Sequence, residues 1–399
     1  MKAESIQRSA PRGMHGFRRL LAILTCRNDQ RGFSLTEMLI TVGIFSVIMG
    51  GAYGAFITQM KHSTREYNVA GADIELGIVK TLLERDISST GYGLANDYGG
   101  ATDGDGDVLN PRAVKGSEGD RFGGSDSLTL MGTALGVNSR QSMGWTYMDA
   151  VDPTFAQWSD SRENIEAGDR VIMMQPDTKA LLTEGGKWLF KFNYNYADPA
   201  AVAVDERITT VDGGTTFSGA EIGTLVYGLY GQGSSDDDDH ADLKPYYVVK
   251  YYLPDDAGSN DPGVCAPGTR SLLRAESRKA DDNDDPLSTP SPLLACVRDF
   301  QVTFGLDKDE DGTIDDWDDG GADHANGYSA DNLRKRLKQV RVYILVQSGS
   351  PDPDYTYPLA SVRVGEATID SGRDVALTAE QRRYRWKLLT LNIAPRNLK

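Results

Sequence analysis

The chain has 399 residues, a formal net charge of −16 and a sequence pI near 4.7. A mean hydropathy of −0.42 excludes a polytopic membrane protein, and the acidic balance argues against non-specific nucleic-acid binding, which needs Lys and Arg to neutralise phosphates. With 3 Cys and 4 His the chain is no disulfide-rich scaffold and has little from which to build a zinc cluster.

Residues 1–32 are basic: Lys2, Arg8, Arg12, Arg18, Arg19, Arg27 and Arg31 outnumber Glu4 and Asp29. An apolar run follows from Phe33 to Met60, with Glu37 as its one charge, and Lys61, His62 and Arg65 close it. Coiled as a helix, the uncharged part from Met38 onward spans about 30 Å, the thickness of a bilayer hydrocarbon core. A secretory signal peptide would end in a small-residue cleavage site, whereas Gly50, Gly51 and Gly54 lie inside the run. A plain signal anchor leaves Glu37 unexplained, because a carboxylate near the start of a membrane helix is costly unless paired.

The run Arg31-Gly32-Phe33-Ser34-Leu35-Thr36-Glu37-Met38, behind a basic leader and ahead of an apolar helix, resembles the type III signal of type IV pilins and type II secretion pseudopilins. The resemblance implies a leader of residues 1–32, cut between Gly32 and Phe33 by a prepilin peptidase that also N-methylates Phe33. Ser34 stands where many members have Thr, and Met14 offers a second start for the leader. Glu37, fifth after the cut, would suit the positive end of the helix and neutralise the terminal amine of a neighbouring subunit. The bland alternative leaves Glu37 snorkelling to the interface.

Residues 33–60 are thus expected to be a transmembrane and filament-core helix, and 61–90 its amphipathic continuation. Val69, Ala72, Leu76, Val79 and Leu83 recur at spacings of three and four, which gives one apolar face. Gly91 and Gly93 after Ser88 and Ser89 stop the helix. The same stretch, with Arg85, Asp86, Gly91, Tyr92 and Gly93, is similar to the helix–body junction of PilW-like minor pilins.

From about residue 91 to 399 the chain reads as a β-rich body with long acidic loops. Strands are expected at 126–132, 169–175, 187–196, 222–230, 245–253, 297–306, 339–347 and 383–392. Phe300, Val302, Phe304 and Leu306 alternate with polar residues, as a half-buried strand should. Val342, Ile344 and Val346 alternate with Tyr343 and Leu345, which predicts a strand covered on both faces. The fold class is therefore α+β: a long N-terminal helix packed on a mostly antiparallel sheet. One body or two lobes are equally compatible with the pattern. The order 297–306, acidic loop, 339–347 and a basic last strand ending in Arg396-Asn397 also resembles PilW-like proteins, whereas 100–290 matches no motif.

The loop from Asp307 to Asp318 has the calcium-loop spacing of an EF-hand. Asp307, Asp309 and Asp311 take positions one, three and five, Gly312 the turn, Thr313 a carbonyl position and Asp315 position nine. Asp318 ends the loop where Glu is usual. Ca²⁺ is the expected ligand, and a solvated acidic loop is the alternative. The acidic run 102–107 is a weaker metal candidate, and 234–240 reads as solvated. A short basic helix at 331–339, with Arg334, Lys335, Arg336 and Lys338, is expected either to neutralise the acidic loop or to dock a partner. Cys26 lies in the leader, so Cys265 and Cys296 are left to form a disulfide in an oxidising compartment, worth about 3 kcal/mol by chain entropy.

No HExxH, G-x-S-x-G or phosphate loop is present, and His62, His240 and His324 are scattered, so a non-catalytic role is expected. The resemblance implies a PilW-like minor pilin that enters a type IV pilus and helps to initiate it. Its partners would be other minor and major pilins through the N-terminal helix, the prepilin peptidase, the inner-membrane assembly platform and a tip adhesin, with no nucleic acid. It would cross the inner membrane once with a periplasmic body, then join a surface pilus. Two alternatives stay open: a minor pseudopilin of type II secretion, and a pilus-tip adhesin that binds a ligand through 100–290.

Overall fold

The computed structural model describes residues 32–101, 111–135, 144–150, 154–161, 164–193, 203, 206–211, 216–217, 219, 221–228, 243–256, 264–279, 290–318, 328–352, 354–369 and 371–398. The expected leader before Gly32 with its Cys26, the acidic runs 102–107 and 234–240, and His240 and His324 lie outside them.

A helix, α1, runs from Leu35 to Ser89. The chain divides into two units, Met1–Thr64 and Arg65–Lys399. In the first, α1 is exposed throughout: Leu39, Ile40, Phe45, Val47 and Ile48 all have most of their surface free. A 55-residue helix with such an apolar segment is long enough to cross a membrane.

In the second unit α1 has one buried stripe. Leu76, Val79, Leu83 and Ile87 lose nearly all their exposure, and Val69 and Ala72 continue the row half-buried. Burying four such side chains contributes on the order of 6–12 kcal/mol before ordering costs. The expected amphipathic face is therefore present and extends one turn further, to Ile87.

After α1 come β1 (Val114–Arg121), β2 (Ser125–Gly132), β3 (Trp145–Ala150), β4 (Thr154–Phe155), β5 (Arg170–Met174), β6 (Leu189–Phe192), β7 (Ile208–Thr210) and β8 (Leu225–Tyr227). Next are β9 (Leu243–Tyr252), β10 (Arg270–Lys279), β11 (Ser291–Leu306), β12 (Asp316–Asp318) and a short helix α2 (Ala330–Arg336). The chain closes with β13 (Leu337–Ser348), β14 (Ser361–Val364), β15 (Arg373–Ala376) and β16 (Arg385–Ile393). Among the described residues the main sheet has eight strands, in the order β1-β2-β9-β10-β11-β13-β16, with β12 on β11. A second sheet has the order β4-β3-β8-β5-β6-β7, and β14 and β15 form a hairpin. The pairings are antiparallel, as expected for the α+β class.

The two-lobe question resolves into two sheets within one compact unit. The helix stripe packs on one face of the main sheet, against Leu128, Leu130, Val249, Tyr251, Phe300, Val302, Val342 and Ile344. The second sheet buries Met148, Phe155, Val171, Phe190, Phe192 and Val226 on one face. Its other face joins Leu94, Ala95, Tyr98 and Tyr246 in a shared cluster.

β11 is the spine of the body. Its first part pairs with β10 and its last three residues with β12 on one side, while β13 lines the other side. Between β10 and β12 its backbone meets side chains instead: the Phe300 N–H donates to Ser125 Oγ at 3.4 Å and the Val302 N–H to Asp126 Oδ2 at 2.8 Å. A buried backbone donor needs a partner, and these two polar residues at the start of β2 supply it. The expectation of a half-buried strand is corrected here. Asp299, Gln301 and Thr303 are buried too, because Arg373 covers Asp299 with bonds of 2.7 and 3.1 Å, and Ser125 donates to it at 2.7 Å. β13 is covered on both faces as expected, Tyr343 and Leu345 packing under Val362, Val364 and Val375 of the β14–β15 hairpin.

Candidate assembly helix and its anchor

Gly32 and Phe33 precede α1, Phe33 is 80% exposed, and a Cβ at Gly32 would meet nothing within 4 Å. Glu37 stands exposed in the first turn of α1, where the unpaired N–H groups favour an acid. No ion pair to Glu37 occurs among the described residues.

The other end of α1 is built differently. Asp86 is completely buried and meets donors from three elements. Arg85, its neighbour on α1, donates from Nε and NH2 at 2.9 and 2.6 Å to Oδ1. The Tyr251 hydroxyl of β9 donates at 2.6 Å, and Arg274 Nε of β10 at 2.9 Å, both to Oδ2. Arg274 is itself held by Glu276 at 2.7 Å and the Leu135 carbonyl at 3.2 Å. Burial disfavours the Arg274 charge, but Asp86 and Tyr251 outweigh it and push its pKa up. Burial, then the Asp86 charge, pushes the Tyr251 phenol well above its usual value, so it stays a donor.

The helix then stops at Ser89, one turn after the anchor. Gly91 takes φ +76°, its N–H donates to the Met131 carbonyl at 2.8 Å, and a Cβ there would lie 2.6 Å from Leu398 Cδ2. Only glycine suits both the left-handed backbone and the contact. The Ser88 carbonyl, left over by the helix end, accepts from the Arg396 N–H and from Asn397 Nδ2, each at 3.2 Å. A cleft of about 520 Å³ lies beside this junction, lined by Glu84, Arg85, Ser88, Tyr92, Arg396 and Asn397 among others. Tyr92 packs edge-on to Tyr227 with ring centres 5.5 Å apart, and burial followed by the Tyr227 charge raises its pKa to about 12.

The Arg85-Asp86, Gly91-Tyr92-Gly93 and Arg396-Asn397 motifs thus meet at one junction, which their separation in sequence did not reveal. Tyr251 and Arg274 were missed altogether. An acid bordering the apolar stripe of α1 was the available signal, but it names no partner.

Cys265 and Cys296 form a disulfide, with Cα atoms 5.0 Å apart. Cys296 has φ +58° where β11 carries an extra residue against β10, and this bulge turns its side chain toward Cys265.

The acidic loop is the hairpin between β11 and β12. Carboxylate oxygens of Asp307, Asp309 and Asp315 all lie within 4.8 Å of one another. Asp307 is buried and accepts from the N–H groups of Asp311 and Gly312 at 3.1 and 2.9 Å. Asp311 accepts from the Thr313 N–H at 2.7 Å, and Asp318 is buried in β12 opposite Phe304. Lys338 Nζ lies 3.2 Å from Asp307 Oδ2. Burial works against the Asp307 charge, but the Gly312 N–H and Lys338 prevail and lower its pKa. The helix expected over 331–339 ends at Arg336, because Leu337 already pairs with Leu306 and carries Lys338 into β13. Arg336, 3.5 Å from Glu310, and Lys338 neutralise the loop, one of the two expected roles.

Comparison with known proteins adds the following. Residues 250–397 match a family model described as type IV pilus-assembly protein W. Residues 27–53 match the prokaryotic N-terminal methylation motif. No curated protein matches the chain. A solved type IV-like pilin from Thermus thermophilus is 11% identical, with a TM-score of 0.32, over 82% of this chain and 96% of that one.

Proposed function

We propose that this chain, a PilW-like, type IV pilin-like protein, is a non-catalytic minor pilin that enters a type IV pilus and helps to initiate its assembly. The observation that carries the reading is the methylation-motif match over 27–53, which brackets Gly32, Phe33 and Glu37 at the head of an exposed apolar helix. Prepilin peptidase cuts after Gly32 and methylates Phe33. The exposed apolar half of α1 holds the protein in the inner membrane with its body in the periplasm, until neighbouring pilin helices replace the lipid around it. Glu37 then pairs with the terminal amine of an adjacent subunit, which removes the cost of burying either charge alone.

Ca²⁺ belongs to the same reading as the ligand of the β11–β12 loop, supported by the convergence of Asp307, Asp309 and Asp315. Asp311, the Thr313 carbonyl and Asp318 are the further ligands of this reading.

A clean deletion tests the proposal when scored in parallel for sheared surface pili and for secreted hydrolases. Loss of pili with secretion intact is expected. Loss of secretion with pili intact would make the protein a pseudopilin.

A further inference from the structure

The body half of α1 meets the main sheet mainly through an aliphatic row, Leu76, Val79, Leu83 and Ile87, three or four residues apart; beside it lie the buried Asp86 and one half-exposed ion pair, Asp73 with Lys387 of β16 at 2.7 Å, which water weakens. Val69 and Ala72 continue the row. Such a row is nearly self-similar. Rotating the helix slightly, or sliding it by one turn of about 5.4 Å, brings another aliphatic group over the same patch. Hydrophobic burial is non-directional and chooses poorly between these settings.

Asp86 chooses sharply. It is the one fully buried charge among the described residues of α1. Its Oδ2 is reached by Tyr251 from β9 and by Arg274 from β10, from opposite sides of a strand pairing. In any other setting the Arg274 guanidinium, with its side chain 7% exposed, loses Asp86 and keeps only Glu276 and a backbone carbonyl. We propose that Asp86 is the positioning residue that selects one rotational and axial setting of α1 on the sheet, with the turn at Gly91 as the pivot. A buried ion pair acts here through specificity more than through stability, the use best attested for such pairs. The consequence for assembly rests on the proposed function, since the setting determines which side of the body neighbouring subunits meet. The setting itself is measured on the isolated chain and stands or falls without it.

The test uses the full chain in detergent with Cys26→Ser, spin-labelled through Ile74→Cys on α1 and Ile222→Cys on the body, both exposed positions. The parent gives one narrow label-to-label distance. Asp86→Leu with Arg274→Met and Tyr251→Phe fills the site with apolar groups and leaves no buried hydroxyl without its acceptor. It is expected to keep the thermal midpoint at or above the parent's while the distance distribution splits or at least doubles in width. Asp86→Asn, nearly isosteric, carries the same readout should the triple variant fail to fold. Arg274→Lys keeps a cation against Asp86 and is expected to restore the narrow distribution. The parent's width in both Asp86 variants, whatever their thermal midpoints, would overturn the proposal.

Discussion

Two carboxylates mark the two halves of one helix. Glu37 is exposed in the first turn of α1 with no ion pair among the described residues, whereas Asp86 is sealed near the last turn beneath Arg85, Arg274 and Tyr251. Around Glu37 every large apolar side chain faces outward, and around Asp86 a stripe faces inward. The difference teaches what each half is for. A protein that exposes apolar residues along several turns has left them for another environment to cover. A protein that buries a charge with three donors has finished that region within its own chain.

The sharpest way to break this comparison is at the start of α1. Gly32→Val is expected to abolish processing, leaving a leader-length band on a denaturing gel with the folded body unchanged. A mature-length product would remove the prepilin reading. At the other end, Asp86→Ala strands Arg274 and Tyr251 in the interior and should cost about 3–5 kcal/mol of stability, read from denaturant unfolding of the full chain. A loss under about 1 kcal/mol would show the anchor to be incidental. Replacing both Cys265 and Cys296 by Ser should cost about 3 kcal/mol, with no effect of reductant on the variant. Glu37→Ala should then do the opposite of Asp86→Ala. Stability of the body stays within about 0.5 kcal/mol, as for an exposed site, while the protein stays in the membrane and its share in sheared filaments falls. Normal incorporation would sink the pairing role.

The smallest effect is expected in the acidic hairpin. Because the Asp307 pKa is lowered on folding, its contribution is fully present above the unfolded value near 4 and is lost as pH falls through the lower folded value. Lys338→Met should flatten that acid limb. Calcium should raise the thermal midpoint, and Asp309→Ala should abolish the rise. No rise in the parent would make the hairpin a lysine-neutralised loop.

Legibility from the sequence followed the range of the interaction. The apolar run, the helix stop at Gly91 and Gly93, and the alternation in β11 and β13 are local patterns and were readable. β10 was not expected as a strand, because Arg270, Arg274, Glu276 and Arg278 make it look like loop. It is a strand because β9 and β11 pair with it on both sides and Asp86 neutralises its central arginine. β1, with one apolar residue, and β3 and the short strands β4, β7, β12, β14 and β15, too brief to show a period, are not legible either. The alternation in β11 predicts a solvated polar face, and Arg373, 74 residues on, decides otherwise.

Sequence by itself determined the N-terminal methylation motif, the membrane-length helix, the boundary between helix and body, and the pair of cysteines. Each depends on residues whose character is set within a few positions or by elimination. Tertiary structure alone decided that Asp86 meets Tyr251 and Arg274, and that the Ser88 carbonyl is capped by Arg396 and Asn397 from the end of the chain. The physical reason is that burying a charge or a backbone carbonyl demands a partner but does not specify which one. That choice belongs to the strand order, which brings residues more than a hundred positions apart within hydrogen-bonding distance.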